Sequence, residues 1–150
     1  MVLTDKWFST MAEADNEMPI FVSGRDNIDE FRLSGKFKER VEIYWEYKSA
    51  HNGMPSDAEG ELMEQVIDAL RKAVEKDKLA ILTGIYTGNN ERTLVFYSRT
   101  SRVFGERLNE ALAPFPQLPI TLYVENDPEW NEYQELCEIK PFAESDITED

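Results

Sequence analysis

Val41-Glu42-Ile43-Tyr44-Trp45-Glu46-Tyr47 begins the region that sets the fold class, because the hydrophobic rhythm changes five times between Val41 and Glu125. Val41, Ile43, Trp45 and Tyr47 alternate with Glu42, Tyr44 and Glu46, the period of two of a strand buried on one face. Ser56-Asp57-Ala58-Glu59 then reads as a capping box, the serine accepting from the Glu59 amide and the Glu59 carboxylate reaching back. In the helix that follows, Leu62, Val66, Ala69, Leu70 and Ala73 fall on one stripe, and Glu61, Glu64, Asp68 and Lys72 occupy other faces. Leu79 to Thr87 and Arg92 to Ser98 are rich in β-branched and aromatic residues, and Gly88-Asn89-Asn90-Glu91 between them suits a hairpin turn with positive φ. Gly84, inside the first of these strands, predicts a bulge or a close backbone approach. From Ser101 the period lengthens again, with Phe104, Leu108, Ala111 and Leu112 on a helix that stops before Pro114 and Pro116. Ile120, Leu122 and Val124, alternating with Thr121, Tyr123 and Glu125, make a last strand.

Strand, helix, strand, strand, helix, strand is the order of a split βαβ, or ferredoxin-like, α+β sandwich (βαββαβ). One core is expected from Val41, Ile43, Trp45, Leu62, Val66, Leu70, Ile81, Leu94, Phe96, Phe104, Leu108, Leu122 and Val124, between a mainly antiparallel sheet and two helices.

On either side of this unit, Trp7 to Met11 and Ile20 to Ser23 read as two short strands, an N-terminal hairpin extension. Asp26 is placed to cap a short helix that carries Ile28 and Phe31 and ends at Gly35. Asp127-Pro128 suits a cap and a first helical position, so a short C-terminal helix is expected over Glu129 to Ile139. A chain of 150 residues is the usual size of one domain. Its parts are residues 1–36 as extension, 37–126 as core, 127–142 as C-terminal helix and 143–150 as an acidic tail.

Composition narrows the function classes. Cys137 is the single cysteine and His51 the single histidine, which leaves no disulfide framework and no multi-cysteine metal site. No cofactor or specific metal is expected, and His51 in His51-Asn52-Gly53-Met54-Pro55 reads as a turn residue. No stretch approaches the ~18 apolar residues of a membrane span, and no basic start precedes an apolar run. The expectation is a cytoplasmic protein with no membrane partner. Residues 1–124 hold 20 acids and 15 bases, whereas residues 125–150 hold 10 acids and only Lys140. This acidic end reads first as a solubilising surface and second as a means of steering a basic protein partner.

Leu82-Thr83-Gly84-Ile85-Tyr86-Thr87-Gly88, Glu91-Arg92, Val95-Phe96-Tyr97 and Asp127-Pro128-Glu129-Trp130 together resemble the bacterial family catalogued as domain of unknown function 695, over roughly residues 37 to 133. The resemblance brings no established catalytic residue with it. The element order and acidity are also similar to the regulators of ribonuclease E activity of type B, small acidic protein inhibitors with a ferredoxin-like fold. That second likeness transfers no residue.

Parity gathers Glu42, Tyr44, Glu46, Tyr97, Arg99, Tyr123 and Glu125 on the sheet face that the two main helices leave open. Tyrosines on such a face invite comparison with RNA-binding sheets, but the carboxylates oppose phosphate, so no direct nucleic acid binding is expected. The N-terminal hairpin, with Trp7, Phe8, Ile20 and Phe21, or a second subunit in a sheet-face dimer would cover the tyrosines; the oligomeric state stays open. The preferred functional reading is a non-enzymatic acidic binding or regulatory module that contacts another protein. The alternative is a small-molecule enzyme that uses a glutamate as base and tyrosines as donors on this face.

Overall fold

The computed structural model describes residues 1–49 and 51–140; the acidic tail at 143–150 lies outside them. Its elements run β1 (Trp7–Glu13), β2 (Pro19–Arg25), α1 (Asp29–Leu33), β3 (Glu39–Glu46), α2 (Asp57–Glu75), β4 (Ala80–Gly88), β5 (Glu91–Ser98), α3 (Ser101–Leu112), β6 (Ile120–Asn126) and α4 (Asn131–Cys137). All six strands join one antiparallel sheet in the order β1-β2-β4-β5-β3-β6, so the fold is α+β.

Local chemistry accounts for most of the joins. Asn89 and Asn90 both take positive φ, 54° and 72°, in the two-residue turn between β4 and β5. The Ser56 hydroxyl accepts from the Glu59 amide at 3.1 Å and caps α2. The expected return bond is not made, because the Glu59 carboxylate accepts from the Trp45 indole at 2.8 Å instead. Asp26 does not cap α1, whose first flanking residue is Ile28; its carboxylate pairs with Lys140. Gly35, at φ 72°, follows the end of α1 as expected. At the C-terminal end the helix starts at Asn131 rather than Glu129. The Trp130 amide closes a turn onto the Asp127 carbonyl, and Trp130 itself sits at φ 57°, which keeps Pro128 in the turn.

The core is two cores, one on each side of the sheet, rather than the single one expected. Val41, Ile43, Trp45, Leu82, Leu94 and Phe96 face α2 and α3, where Met63, Val66, Leu70, Val74, Phe104 and Leu108 meet them. The buried stripe of α2 includes Met63, Ile67 and Val74, while Leu62 and Ala73 pack at its flank. Each large aliphatic side chain buried here contributes roughly 1.5–3 kcal/mol. Ile81, Val95 and Tyr97 belong to the opposite side, under Ile28 and Phe31 around α1 and Trp130, Tyr133 and Leu136 around α4.

Leu122 and Val124 are corrected out of the core, at 39% and 46% exposure. Pairing sets β6 outside β3, at the edge of the sheet and beyond the strand that α3 packs against. The hairpin does not fold over the open face either. It extends the sheet through β2·β4, and Arg25 ties it down, donating to Glu75 at 3.2 Å and to the Leu82 carbonyl at 2.9 Å.

Candidate functional site

The even-numbered side chains of β3, Arg40, Glu42, Tyr44 and Glu46, point away from α2 and α3. Register sets Tyr97, Val95, Thr93 and Glu91 of β5 beside them on one flank. Glu125, Tyr123 and Thr121 of β6 line the other. On β4 the register shifts between Leu82 and Gly84, which reverses the parity and turns Tyr86 onto this face beside Thr93. The bulge expected at Gly84 therefore has a consequence for the site.

Arg40 is the cation at the centre. Its guanidinium donates to Glu42 at 2.6 Å and to Asp127 at 2.7 Å, and lies 3.5 Å from Glu125. Burial opposes that charge, but the Asp127 and Glu42 carboxylates outweigh it and hold the Arg40 pKa above its ordinary value. Asp127, 4% exposed, also accepts from the Tyr97 hydroxyl at 2.7 Å and from the Asn131 amide at 2.9 Å, so one carboxylate anchors the sheet and starts α4. Trp130 stacks on Tyr97 with ring centroids 4.2 Å apart.

Beyond this anchored corner the face carries excess acid. The Tyr86 hydroxyl donates to Glu132 Oε2 at 2.6 Å, while Glu132 Oε1 is shut from solvent and accepts no hydrogen bond from the described residues. Burial raises the Glu132 pKa; the Tyr86 bond works against that rise, and the nearby Glu42 charge adds to it. Tyr44 donates to the other oxygen of Glu42, and burial together with that bond pushes its hydroxyl pKa up. Glu46 stands directly opposite Glu91, whose pKa is raised by burial and then by the Glu46 charge.

Of the residues picked out by parity, Glu42, Tyr44, Glu46, Tyr123 and Glu125 share this face. Tyr97 shares it but has no exposed surface, so it is an internal strut and is not open to a ligand. Arg99 is corrected away from the site altogether. It lies past the end of β5, donates to the Lys78 carbonyl at 2.9 Å and stacks over Phe37 at 5.0 Å. Trp130 and α4 cover Tyr97, and the hairpin does not lie over this face.

Arg40, Tyr86, Glu91, Asp127 and Glu132 were not signalled. Arg40 continues the same parity one step earlier and could have been included. Tyr86 could not, because the bulge hides its side, and Asp127 read as a cap alone. Among the described residues no group of three or more His, Cys, Asp or Glu side chains is placed to hold a metal ion. No helix among them is long and apolar enough to cross a membrane.

The sheet, its hairpin and α4 form one antiparallel α+β unit, and the family comparison covers all of it. Residues 5–137 match the model of the Family of unknown function (DUF695), and the chain belongs to that family. The match takes in β1 and β2, so the hairpin is part of the family domain, not an addition to it. No curated protein and no solved structure matches the chain.

Proposed function

We propose that the chain is a non-enzymatic binding module that receives a basic segment of a partner protein on the face carrying Glu42, Tyr44, Glu46, Tyr86, Glu91 and Glu132. Its scaffold is the ferredoxin-like split βαβ sandwich. Supporting this, β6-β3-β5-β4 within the sheet are the fourth, first, third and second strands of the β3-α2-β4-β5-α3-β6 unit. The observation that carries the functional reading is Glu132 Oε1, a buried acceptor with no donor among the described residues, near the Glu42 charge and in a carboxylate whose other oxygen accepts from Tyr86. A lysine or arginine that displaces the side chains over Oε1 supplies the missing donor, offsets the Glu46–Glu91 opposition and finds tyrosine rings for its stem. A second reading, proton abstraction from a small molecule by the same Glu132, differs in requiring turnover.

An oligolysine peptide is a suitable probe, followed by calorimetric titration against wild type and Glu132→Gln. Because burial raises the Glu132 pKa, the folded protein holds that proton more tightly than the unfolded chain does. Its contribution to stability is therefore full below the ordinary glutamate pKa and is lost as pH rises through the folded value. Glu132→Gln is expected to melt at a higher temperature than wild type at pH 7 and to bind the peptide roughly tenfold more weakly, the loss of a charged hydrogen bond. A variant that melts lower and binds equally well would mark Glu132 as structural only.

A further inference from the structure

Sheet edges are normally shielded by lysine, proline, bulges or short length, because their free N–H and C=O groups invite another strand. β6 has none of these within Ile120–Asn126, and its pairing to β3 runs without a register shift. Leu122, Tyr123 and Val124 are 39%, 44% and 46% exposed, whereas the opposite edge, β1, exposes only Met11 among its large apolar residues. At the two ends of the β3·β6 ladder the Glu46 amide donates to the Pro119 carbonyl and the Asp127 amide to the Lys38 carbonyl. The odd-numbered residues of β6 therefore direct their backbone groups toward β3, and Leu122 and Val124 direct theirs outward.

We propose that β6 pairs antiparallel with β6 of a second copy of the chain, about a two-fold axis through Tyr123. The sequence Ile120-Thr121-Leu122-Tyr123-Val124-Glu125-Asn126 is self-complementary in that register. Leu122 faces Val124 of the second copy, and both present outward backbone groups, so the pair exchanges both of its hydrogen bonds. On the apolar side a row forms from Ile43 and Leu122 to Val124 and Val41 of the second copy, which covers the side chains that α3 leaves bare. A shallow depression of about 340 Å³, lined by Leu108, Leu112, Phe115, Leu118 and Ile120, borders the same side and extends the apolar surface. On the other side Tyr123 meets its own symmetry mate, and Glu125 meets Thr121, so no like charges stand opposite each other. A closed, isologous contact of this kind is the commonest form of assembly. The inference does not rest on the basic-partner reading.

Sedimentation equilibrium of the full chain tests it. The expected mass is twice the 17.4 kDa of one copy, with dissociation on dilution. Raising the salt should tighten the dimer, because two chains of formal charge −14 repel each other until screened. Leu122→Lys combined with Val124→Lys sets lysines opposite one another and should weaken dimerisation at least about tenfold. Both positions are exposed in the single copy, so the fold should survive, and Met11→Lys at the other edge should leave the dimer intact. The axis is tested separately in a Cys137→Ala background. Tyr123→Cys faces itself as a non-hydrogen-bonded pair with Cα atoms about 4.5 Å apart, within disulfide range, and should cross-link on mild oxidation. Thr121→Cys should not. A monomer at every concentration overturns the proposal, as does cross-linking at Thr121→Cys as ready as at Tyr123→Cys.

Discussion

Asp127→Ala is expected to lower the stability to urea by about 3 kcal/mol, the combined cost of a lost buried ion pair, a buried hydroxyl left without its acceptor and a lost helix cap. The magnitude follows from what the carboxylate holds. It receives Arg40 at 2.7 Å, the Tyr97 hydroxyl at 2.7 Å and the Asn131 amide at 2.9 Å, all at 4% exposure. Alanine leaves Arg40 only Glu42 and the more distant Glu125, strands the buried Tyr97 hydroxyl and removes the cap of α4. Trp130 and Tyr133, which roof the second core, then depend on their own bonds to the Phe37 and Arg25 carbonyls.

The same group gives an acid limb to the stability profile. Burial works to raise the Asp127 pKa, and the bonds from Tyr97, the Asn131 amide and Arg40 outweigh it, so the net shift is downward. A depressed carboxylate contributes stability that is fully present above its unfolded pKa of about 3.9 and lost as pH falls through the folded value. Wild type is thus expected to lose stability below the ordinary aspartate range, with a shallower loss in Asp127→Ala. Denaturation midpoints that coincide for the two proteins at neutral pH would contradict this role.

Glu75→Ala is expected to be comparably severe, about 3–5 kcal/mol, on the other side of the sheet. One oxygen of Glu75 receives the Arg25 guanidinium at 3.2 Å and the Leu82 amide at 2.9 Å, and the other receives Arg71 at 3.0 Å. Arg25 is 1% exposed, and burial lowers its pKa against the opposing pull of Glu75. Removing the carboxylate leaves an arginine in the interior without its main counterion. It also frees the Leu82 amide where β2 leaves β4, so amide exchange should accelerate along β2 and β4 more than along β3. Replacing both partners, Arg25→Met with Glu75→Leu, should recover most of the loss, because apolar groups of similar volume need no counterion. A double variant as unstable as the single one would show that the Leu82 amide bond, rather than the stranded charge, dominates.

The alternating run at Val41 to Tyr47, the Asn89-Asn90 turn and the periods of α2 and α3 made strands and helices legible, because each signal is local. Which side of the sheet a residue takes was legible only while the parity ran unbroken. The bulge at Gly84 inverted it, so Tyr86 was unassigned to the open face. Ile81, before the bulge, went to the wrong core because apolar residues fill both sides of β4. Leu122 and Val124 carry a buried-strand pattern although β6 is an edge, since pattern does not tell where in the sheet a strand pairs. The acidic tyrosine face was half legible. Glu42 and Tyr44 follow from strand parity, but Glu132 and Asp127 arrive from α4 and the turn before it, a contact about ninety residues away in sequence from β3 that no local rule encodes.

The proposed reception of a basic segment is tested most directly at the Glu132 carboxyl itself, by ¹³C NMR titration of its side-chain carbon, assigned by comparison with Glu132→Gln. Alone, the group is expected to titrate above the ordinary glutamate range, because burial and the Glu42 charge outweigh the Tyr86 bond. With saturating oligolysine peptide its titration should move to lower pH, because a bound ammonium stabilises the carboxylate. A Glu132 titration that stays in place while the peptide is bound elsewhere on the protein would contradict the account.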